Sequence, residues 1–470
     1  MSHTDTEPLA ADLAEAEHKR RVALKAATRD YVAAALSQMF AQRELHRQSS
    51  DGGQLKWVRA SSDSFLLQPT VRPWWEDFVF RGVDEIHALP EHQALLDALR
   101  ADPELSLLLN GQISALSTGR LVEEHHVTDH LIWTMADRGG LDDFDIEFAA
   151  WDRELRSKQA RQVWIAPLMG LSASSVEISL GEGLSLSRLS DEEISILLMV
   201  GIQLHPTNAA ASLPLAHVGK VNAIRLVREH PRTFGFSTDL KAAEAEWSTV
   251  NGLLEDVLVA LRIFKAGRVG NTGFAGYFAS WPLRGGTQFG GLLDFSPPAR
   301  QFALDYTLTE EDAARFPKFF AACQSAKRSG SVRLAMRRFA YASDRSRAED
   351  RIIDMMIAAE ALFLADAEGE LSYRLALRGS FFLDPELGPR SKTLRFLKTA
   401  YAVRSKIAHG SKPEAKLLKA FDGTACATID GFATELEQVM RTAIRKAVEH
   451  VAKEGAFLAG DSWDSLILGD

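Results

Sequence analysis

The sequence predicts an α+β fold in which a mixed α/β N-terminal region precedes an all-α C-terminal helical bundle. Alternating apolar and polar stretches, bounded by glycine and proline, are found in roughly the first 300 residues. From about residue 310 onward, apolar residues recur almost everywhere at helical spacing. The breaks between these later segments are short, which favours antiparallel neighbouring helices packed in a bundle.

Composition sets the broad class of the protein. The chain has 470 residues, of which 46% are hydrophobic and 25% charged, values typical of folded proteins with two or three domains. Two cysteines, Cys323 and Cys426, cannot build a disulfide framework, which favours the reducing cytoplasm. The opening residues lack a secretion-signal pattern, and no apolar run reaches the ~18 residues of a membrane span. We therefore expect a cytoplasmic protein without a membrane partner.

The first elements alternate between helices and short strands. Helical spacing covers about residues 10–47 and ends at the breaker "SSDGG". Short strands are predicted within "LKWVRASSDSFLLQPTVRPWWEDFVF". A helical segment is expected from about 84 to 155, interrupted only near "RGGLDD".

Further strands and helices follow in the middle of the chain. "RQVWIAPLMGL" is a predicted strand, and "VEISLGEGLSLSRLS" a predicted hairpin that turns at "GEG". Ser190 is a predicted helix N-cap, with Glu193 completing a capping box. The helix "AEAEWSTVNGLLEDVLVALRIF" ends before "KAGRVGNTG", and glycine-rich strands and turns are predicted as far as "GGLLDF".

The last third contains six predicted helices. They are "EEDAARFPKFFAACQ", "SVRLAMRRFAYA", "RAEDRIIDMMIAAEALFLA", "ELSYRLALRGSFFL", "SKTLRFLKTAYAVRSKIAH" and a final helix over about 424–454. We therefore divide the chain into a helical extension over 1–53, a mixed α/β region over 54–305 and a helical domain over 306–470.

The stretch "RSKIAHG" lies at the end of the predicted helix 392–409. On a helical wheel its apolar arc contains Leu394, Leu397, Tyr401 and Ala408, and Arg404 falls near the middle of this arc. A cation at such a position needs a partner. Three alternatives are open: a structural ion pair, for which Glu360 on the neighbouring helix is the candidate, a side chain that extends its charge to solvent, or a site completed by a second surface.

His409 is placed in the last turn of the same helix, where Gly410 is expected to end it. The negative end of the helix dipole favours a protonated imidazole there, which suits a proton donor, although histidine is also a common capping residue. Arg404 and His409 point roughly 140° apart on an ideal helix. A second copy of the helix could supply the missing half of a site.

Positive charge is concentrated around this histidine, although the whole chain has a net charge of −9. Residues 387–413 contain seven lysines and arginines and no aspartate or glutamate. Residues 327–351 contain eight cations against three acidic residues, a balance of +5. Such local charge favours phosphate contact, while a solvated charged face is the alternative.

Three of the predicted helices carry a family resemblance. In the order "RAEDRIIDMMIAAEALFL", "ELSYRLALRGSFFL", "LKTAYAVRSKIAHG", they resemble the Apea-like branch of the HEPN superfamily over roughly residues 310–465. The resemblance implies an all-helical HEPN bundle that dimerises and brings two R-x4–6-H motifs together. Many members are metal-independent ribonucleases with roles in bacterial toxin–antitoxin systems or phage defence.

The resemblance assigns the motif residues as Arg404 and His409. RNA carries its own nucleophile, the 2′-hydroxyl, so His409 is expected to transfer a proton and Arg404 to hold the phosphate. No metal or cofactor is expected at this site. The expected supporting residues are Ser405, which could orient His409, Lys406, which could contact the backbone, and Glu360. The expected RNA-binding residues are Arg395, Lys398, Arg337 and Arg338.

The resulting functional expectation is an endoribonuclease that acts as an anti-phage, abortive-infection effector. Its expected partners are RNA, a second copy of the chain or a higher homo-oligomer, and a phage-derived trigger or regulatory partner at the N-terminal region. The alternative is a non-catalytic HEPN scaffold that binds RNA, nucleotide or protein.

Two other signals concern the N-terminal region. His126 and His130 have the i, i+4 spacing of a helical metal site but no identifiable third ligand, so a solvated helix face is the main interpretation. Trp74 and Trp75 could stack on a base or ligand, although core packing is the more common use of such rings.

Overall fold

A computed structural model gives the conformation of most of the chain and confirms the α+β class. The residues it describes are 7–42, 55–62, 64–69, 83–109, 111–116, 118–202, 204, 215–217, 220–235, 239–281, 283, 287–290, 305–367 and 369–469.

The N-terminal region contains helices and strands in mixed order. They are α1 (Glu7–Ala41), β1 (Leu55–Ser61), β2 (Ser64–Pro69), α2 (Val83–His87), α3 (Pro90–Arg100), β3 (Gly111–Ala115), β4 (Thr118–Val122), α4 (Glu124–Thr128), α5 (His130–Arg138), α6 (Phe144–Leu155), β5 (Gln159–Leu168), β6 (Leu171–Ala173), β7 (Glu177–Gly181), β8 (Leu184–Arg188), α7 (Asp191–Met199), β9 (Leu215–His217), β10 (Asn222–Pro231), β11 (Thr233–Phe234), α8 (Leu240–Phe264), β12 (Phe274–Phe278), β13 (Thr287–Gly290) and β14 (Tyr306–Leu308).

The remainder of the chain is helical. Its helices are α9 (Glu310–Ala326), α10 (Gly330–Asp344), α11 (Ala348–Phe363), α12 (Leu371–Leu383), α13 (Leu387–Ala408), α14 (Ile429–Glu454) and α15 (Asp461–Leu468). The six helices predicted here are all present, and α15 is an addition. The continuous helical segment expected from 84 to 155 is wrong, because the hairpin β3–β4 interrupts it.

The main sheet has six antiparallel strands in the order β13-β12-β5-β10-β8-β7. It contains both the predicted strand β5 and the predicted hairpin β7–β8. The helix that follows starts with the predicted capping box: the Glu193 amide donates to Ser190 Oγ at 3.2 Å, and the Ser190 amide donates to Glu193 Oε2 at 3.0 Å.

The N-terminal helix α1 is part of a helical core. Its buried face includes Leu24, Tyr31, Val32 and Met39, which pack in one apolar cluster with residues of α3, α5 and α6. Burial of these side chains removes apolar surface from water and fixes α1 against the following helices. The expected domain boundary after residue 53 stays a prediction.

A second, larger core runs from the main sheet through α8 into the C-terminal bundle. Phe264 at the end of α8 lies 5.3 Å from Phe316 and 5.5 Å from Phe319 of α9, measured between ring centroids. The expected boundary between residues 305 and 306 stays a prediction too, and it crosses a continuous apolar core.

Three further sequence expectations concern Trp74 and Trp75, the two cysteines and membrane-spanning helices. Trp74 and Trp75 lie outside the described residues. Cys323 is buried and Cys426 half-buried, and both are free thiols. Of the helices in the described ranges, none has both the length and the apolar character needed to cross a bilayer.

Candidate functional site

The helix α13 carries the R-x4-H sequence, and its buried face determines where each motif residue lies. Its buried residues recur every three or four positions and are Thr393, Phe396, Leu397, Ala400 and Val403. The observed buried face is therefore rotated relative to the apolar arc expected from the helical wheel, and Ala408 is exposed. In the described helix no residue after Val403 is fully buried, and Ile407 in the last turn still packs partly buried against the core.

A glycine in α12 lets α13 approach closely. A Cβ atom at Gly379 would lie 2.5 Å from Leu397 Cδ1 and 3.3 Å from Phe363 Cε2. A side chain at position 379 would have to displace the buried Leu397, so glycine allows the closest packing of these helices. Because Phe363 belongs to α11, this contact also sets the position of α13 relative to the helix that carries Glu360.

Arg404 makes the contact with α11 that the sequence analysis expected. Its Nη2 atom lies 3.4 Å from Glu360 Oε2, a long ion pair in which both side chains are partly exposed. Arg404 Nε is buried and has no hydrogen-bond partner among the described residues. Since guanidinium has five N–H donors, Glu360 leaves most of this binding capacity unused.

His409 caps the same helix and is exposed. The Gly410 amide donates to the Ile407 carbonyl and the Ser411 amide to the Lys406 carbonyl, each at 2.9 Å, which is a Schellman ending. Gly410 has φ +72°, so its predicted role as the glycine that ends the helix is confirmed.

Ser405 was expected to orient His409. The structure links them through the backbone only, where the His409 amide donates to the Ser405 carbonyl at 3.1 Å. No hydrogen bond joins their side chains in this described segment. The supporting role of the Ser405 hydroxyl stays a prediction.

The exposed face of α13 is basic. Arg395, Lys398, Lys406 and His409 are all exposed, and on a helical wheel they fall within roughly 80° of one another. Arg404 lies on the other side of the helix, toward Glu360. A single copy of α13 therefore separates the two motif residues, as the helical wheel predicted.

The other expected RNA-binding residues, Arg337 and Arg338, belong to α10. Arg337 is exposed and lies over the ring of Tyr341 at 5.8 Å. Arg338 is half-buried, and its Nη1 donates to Asp354 Oδ1 at 3.1 Å. Because Asp354 is buried, the Arg338 charge is matched inside the fold.

The described residues do not give His126 and His130 a third ligand. His126 Nδ1 instead accepts the Glu123 amide at 3.1 Å and closes the N-terminal turn of α4. A different group, His87, His92 and Asp129, comes together in this region. This group was not predicted, because its residues come from two helices and from the junction of α4 and α5, and no periodic pattern in the sequence connects them.

Comparisons with protein-family models, with curated proteins and with solved structures gave no significant match. Function is therefore inferred from the residues of this chain and their arrangement.

Proposed function

We propose that this chain is a metal-independent endoribonuclease of the HEPN type, with a composite site formed by two copies of α13. One observation carries the proposal: the partly exposed guanidinium of Arg404, which makes one long ion pair with Glu360, and the exposed imidazole of His409 lie on different sides of the same helix end. In a twofold dimer, His409 of one copy can face Arg404 of the other.

The chemistry of this site requires two groups from the protein. The 2′-hydroxyl of RNA attacks the adjacent phosphorus, and the bond to the 5′-oxygen breaks to leave a cyclic phosphate. Histidine can take the hydroxyl proton or supply one to the leaving oxygen near neutral pH. The Arg404 guanidinium stabilises the additional negative charge on the phosphate in the transition state.

The basic face of α13 provides the surface for RNA. Arg395, Lys398 and Lys406 are spread over roughly 16 Å of helix at 1.5 Å per residue, enough to contact successive phosphates. Lys398 Nζ also lies 5.4 Å from the ring of Tyr373, which is 48% exposed. An exposed ring beside a cation suits stacking of an unpaired base.

The biological role that we propose is cytoplasmic phage defence. The N-terminal region would receive the phage-derived trigger, and the core shared through α8 gives it physical contact with the bundle. In this role, cleavage of RNA in the infected cell stops growth.

The first test is cleavage of mixed RNA by the full chain in EDTA. Wild type is expected to cut, whereas Arg404→Ala and His409→Ala are not. Arg374→Ala and His18→Ala are matched controls at exposed positions outside the site and should cut like wild type.

Mixing the two inactive variants tests the composite site. If each site combines Arg404 of one copy with His409 of the other, half of randomly mixed dimers contain one intact site. About one quarter of wild-type activity should then return. No recovery in mixtures shown to exchange subunits would place both residues of a site in one chain.

A non-catalytic scaffold would give a different result in the cleavage and expression tests. If wild type does not cut RNA, its expression should be compared with that of both variants for growth arrest and protection against phage. Absence of any difference would favour a non-catalytic HEPN scaffold.

A further inference from the structure

Two histidines and one aspartate meet where the N-terminal helices join. His87 is the last residue of α2, His92 lies in the first turn of α3, and Asp129 connects α4 to α5. One potential ligand atom from each residue lies within 4.8 Å of the other two. The chain thus gathers two imidazoles and one carboxylate from three separate parts of the fold.

The His92 ring has a defined orientation. Its Nδ1 lies 3.1 Å from the His87 carbonyl oxygen, which can only accept, so Nδ1 carries the proton. Nε2 consequently keeps its lone pair, and its only described contact is the Thr128 hydroxyl at a long 3.4 Å. Histidines that bind metal commonly donate their second ring nitrogen to a carbonyl in this way.

The carboxylate of Asp129 is held equally firmly, and its side chain is only 2% exposed. Its Oδ1 accepts from Tyr31 Oη at 3.0 Å and from Thr128 Oγ1 at 2.8 Å. Asp129 Oδ2 accepts from His87 Nε2 at 2.8 Å, so zinc binding requires His87 to bind through Nε2 after that proton has left or moved to Nδ1.

We propose that His87 Nε2, His92 Nε2 and Asp129 Oδ2 bind Zn²⁺, with water as the fourth ligand. Two imidazoles and a carboxylate are a donor set that zinc prefers and that Mg²⁺ and Ca²⁺ do not. Ligand atoms of a tetrahedral zinc site lie roughly 3.4 Å apart. The three atoms here lie within 4.8 Å of one another, and the two imidazole rings are stacked with centroids 4.5 Å apart, so zinc binding requires one ring to rotate out of the stack. The His87 side chain is 24% exposed, which gives the ion a route from solvent.

Zinc at this position would join helices that otherwise meet through side-chain packing. Its three ligands fix α2, α3 and the junction of α4 and α5, and Tyr31 extends the connection to α1. Binding to the folded state alone raises stability with ligand concentration. The site is independent of the R-x4-H motif, so it can exist whether or not the chain cuts RNA.

The direct test is zinc content of the full chain after removal of metal and dialysis against Zn²⁺. One zinc per chain and a higher thermal midpoint are expected for wild type. His92→Gln should lose both effects. His126→Gln/His130→Gln, which removes the pair at metal-binding spacing in the same region, should keep both. Less than one bound zinc in wild type, or loss in the double variant but not in His92→Gln, would overturn the proposal.

A measurement on unmodified protein covers the case in which a variant does not fold. Diethyl pyrocarbonate modifies accessible imidazoles, and mass spectrometry locates the modified residues. Zinc is expected to protect the partly exposed His87 but to leave His18, an exposed residue of α1, fully reactive. Equal modification of His87 with and without zinc would refute zinc binding here.

Discussion

Arg262 of α8 donates to both carboxylate oxygens of Asp344 in α10, at 2.8 and 2.7 Å. The Arg262 side chain is only 3% exposed, and its Nη1 also donates to the Ala340 carbonyl at 2.9 Å. Arg441 Nε of α14 donates to the backbone oxygen of Arg262 at 3.1 Å. The buried two-point ion pair thus holds α8 against α10, and the hydrogen bond from Arg441 holds α8 against α14.

We expect Arg262→Met to destabilise the chain by about 3–5 kcal/mol, because it leaves the Asp344 carboxylate buried without its partner. Urea unfolding of the full chain measures this loss. Arg315→Met is the matched control, since Arg315 is exposed and pairs with Glu311 at 3.3 Å; it should cost less than about 1 kcal/mol. A similar loss in both variants would contradict the role given to the buried pair.

Gly379→Ala should destabilise the bundle by about 1–3 kcal/mol, because the new Cβ would overlap Leu397. The control is Gly252→Ala in α8, where nothing lies within 4 Å of the added atom. That variant should be stabilised by roughly 0.5–1 kcal/mol, the usual gain in a helix interior. Thermal unfolding that ranks the two variants in the opposite order would exclude the close helix approach.

Acid should weaken the fold through His230, a buried residue of β10. Burial lowers its pKa, the effect of Arg228 acts in the same direction, and Glu246 opposes both. The unfolded chain therefore takes up a proton at a pH where folded His230 does not, so stability falls as pH drops through about 6.5.

The measurement is the free energy of unfolding across this pH range. His230→Leu should flatten the slope, whereas His18→Leu at an exposed position should leave it unchanged. A slope identical in wild type and His230→Leu would assign the acid sensitivity to other groups.

Substitution of the exposed cations of α13 should affect RNA binding, whereas substitution of Arg338, which pairs with Asp354, should affect stability. Arg395→Ala and Lys398→Ala should weaken binding of an uncleavable 2′-O-methyl RNA and reduce the salt slope by about 1 each, with stability unchanged. Arg338→Ala should lower stability, because Asp354 loses one of its two arginine partners. Fluorescence anisotropy and urea unfolding distinguish these effects. A loss of stability in Arg395→Ala equal to that in Arg338→Ala would contradict the assignment.

Much of the fold was predictable because local patterns and tertiary packing agree. The C-terminal helices bury one face or more, and the capping box of Ser190 and Glu193 forms as its spacing predicts. The hairpin β3–β4 was missed because the residues that connect its strands include no glycine, whereas the equally short strands β7 and β8 are joined by the recognisable turn "GEG". At its turn Leu116 has φ +52°, a conformation that sequence rules associate with glycine or asparagine.

In the candidate site, too, some features were predictable from the sequence and others were not. The contact between Arg404 and Glu360 was predictable, because the helical wheel places Arg404 within the apolar arc of α13, where a cation needs a charged partner. Which residues α13 buries depends on its exact rotation, which is set by contacts such as that of Gly379 with Leu397. The group of His87, His92 and Asp129 exists only through tertiary structure and leaves no regular spacing in the sequence.

The core shared through α8 also has a consequence for how such proteins can diverge. Genes exchange segments most readily where few contacts cross the junction. A junction at residue 306 would separate Phe264 from Phe316 and Arg262 from Asp344. The inherited unit that carries the R-x4-H motif should therefore include α8 and, because Trp247 of α8 lies 5.5 Å from Trp164 of β5 between ring centroids, the main sheet as well.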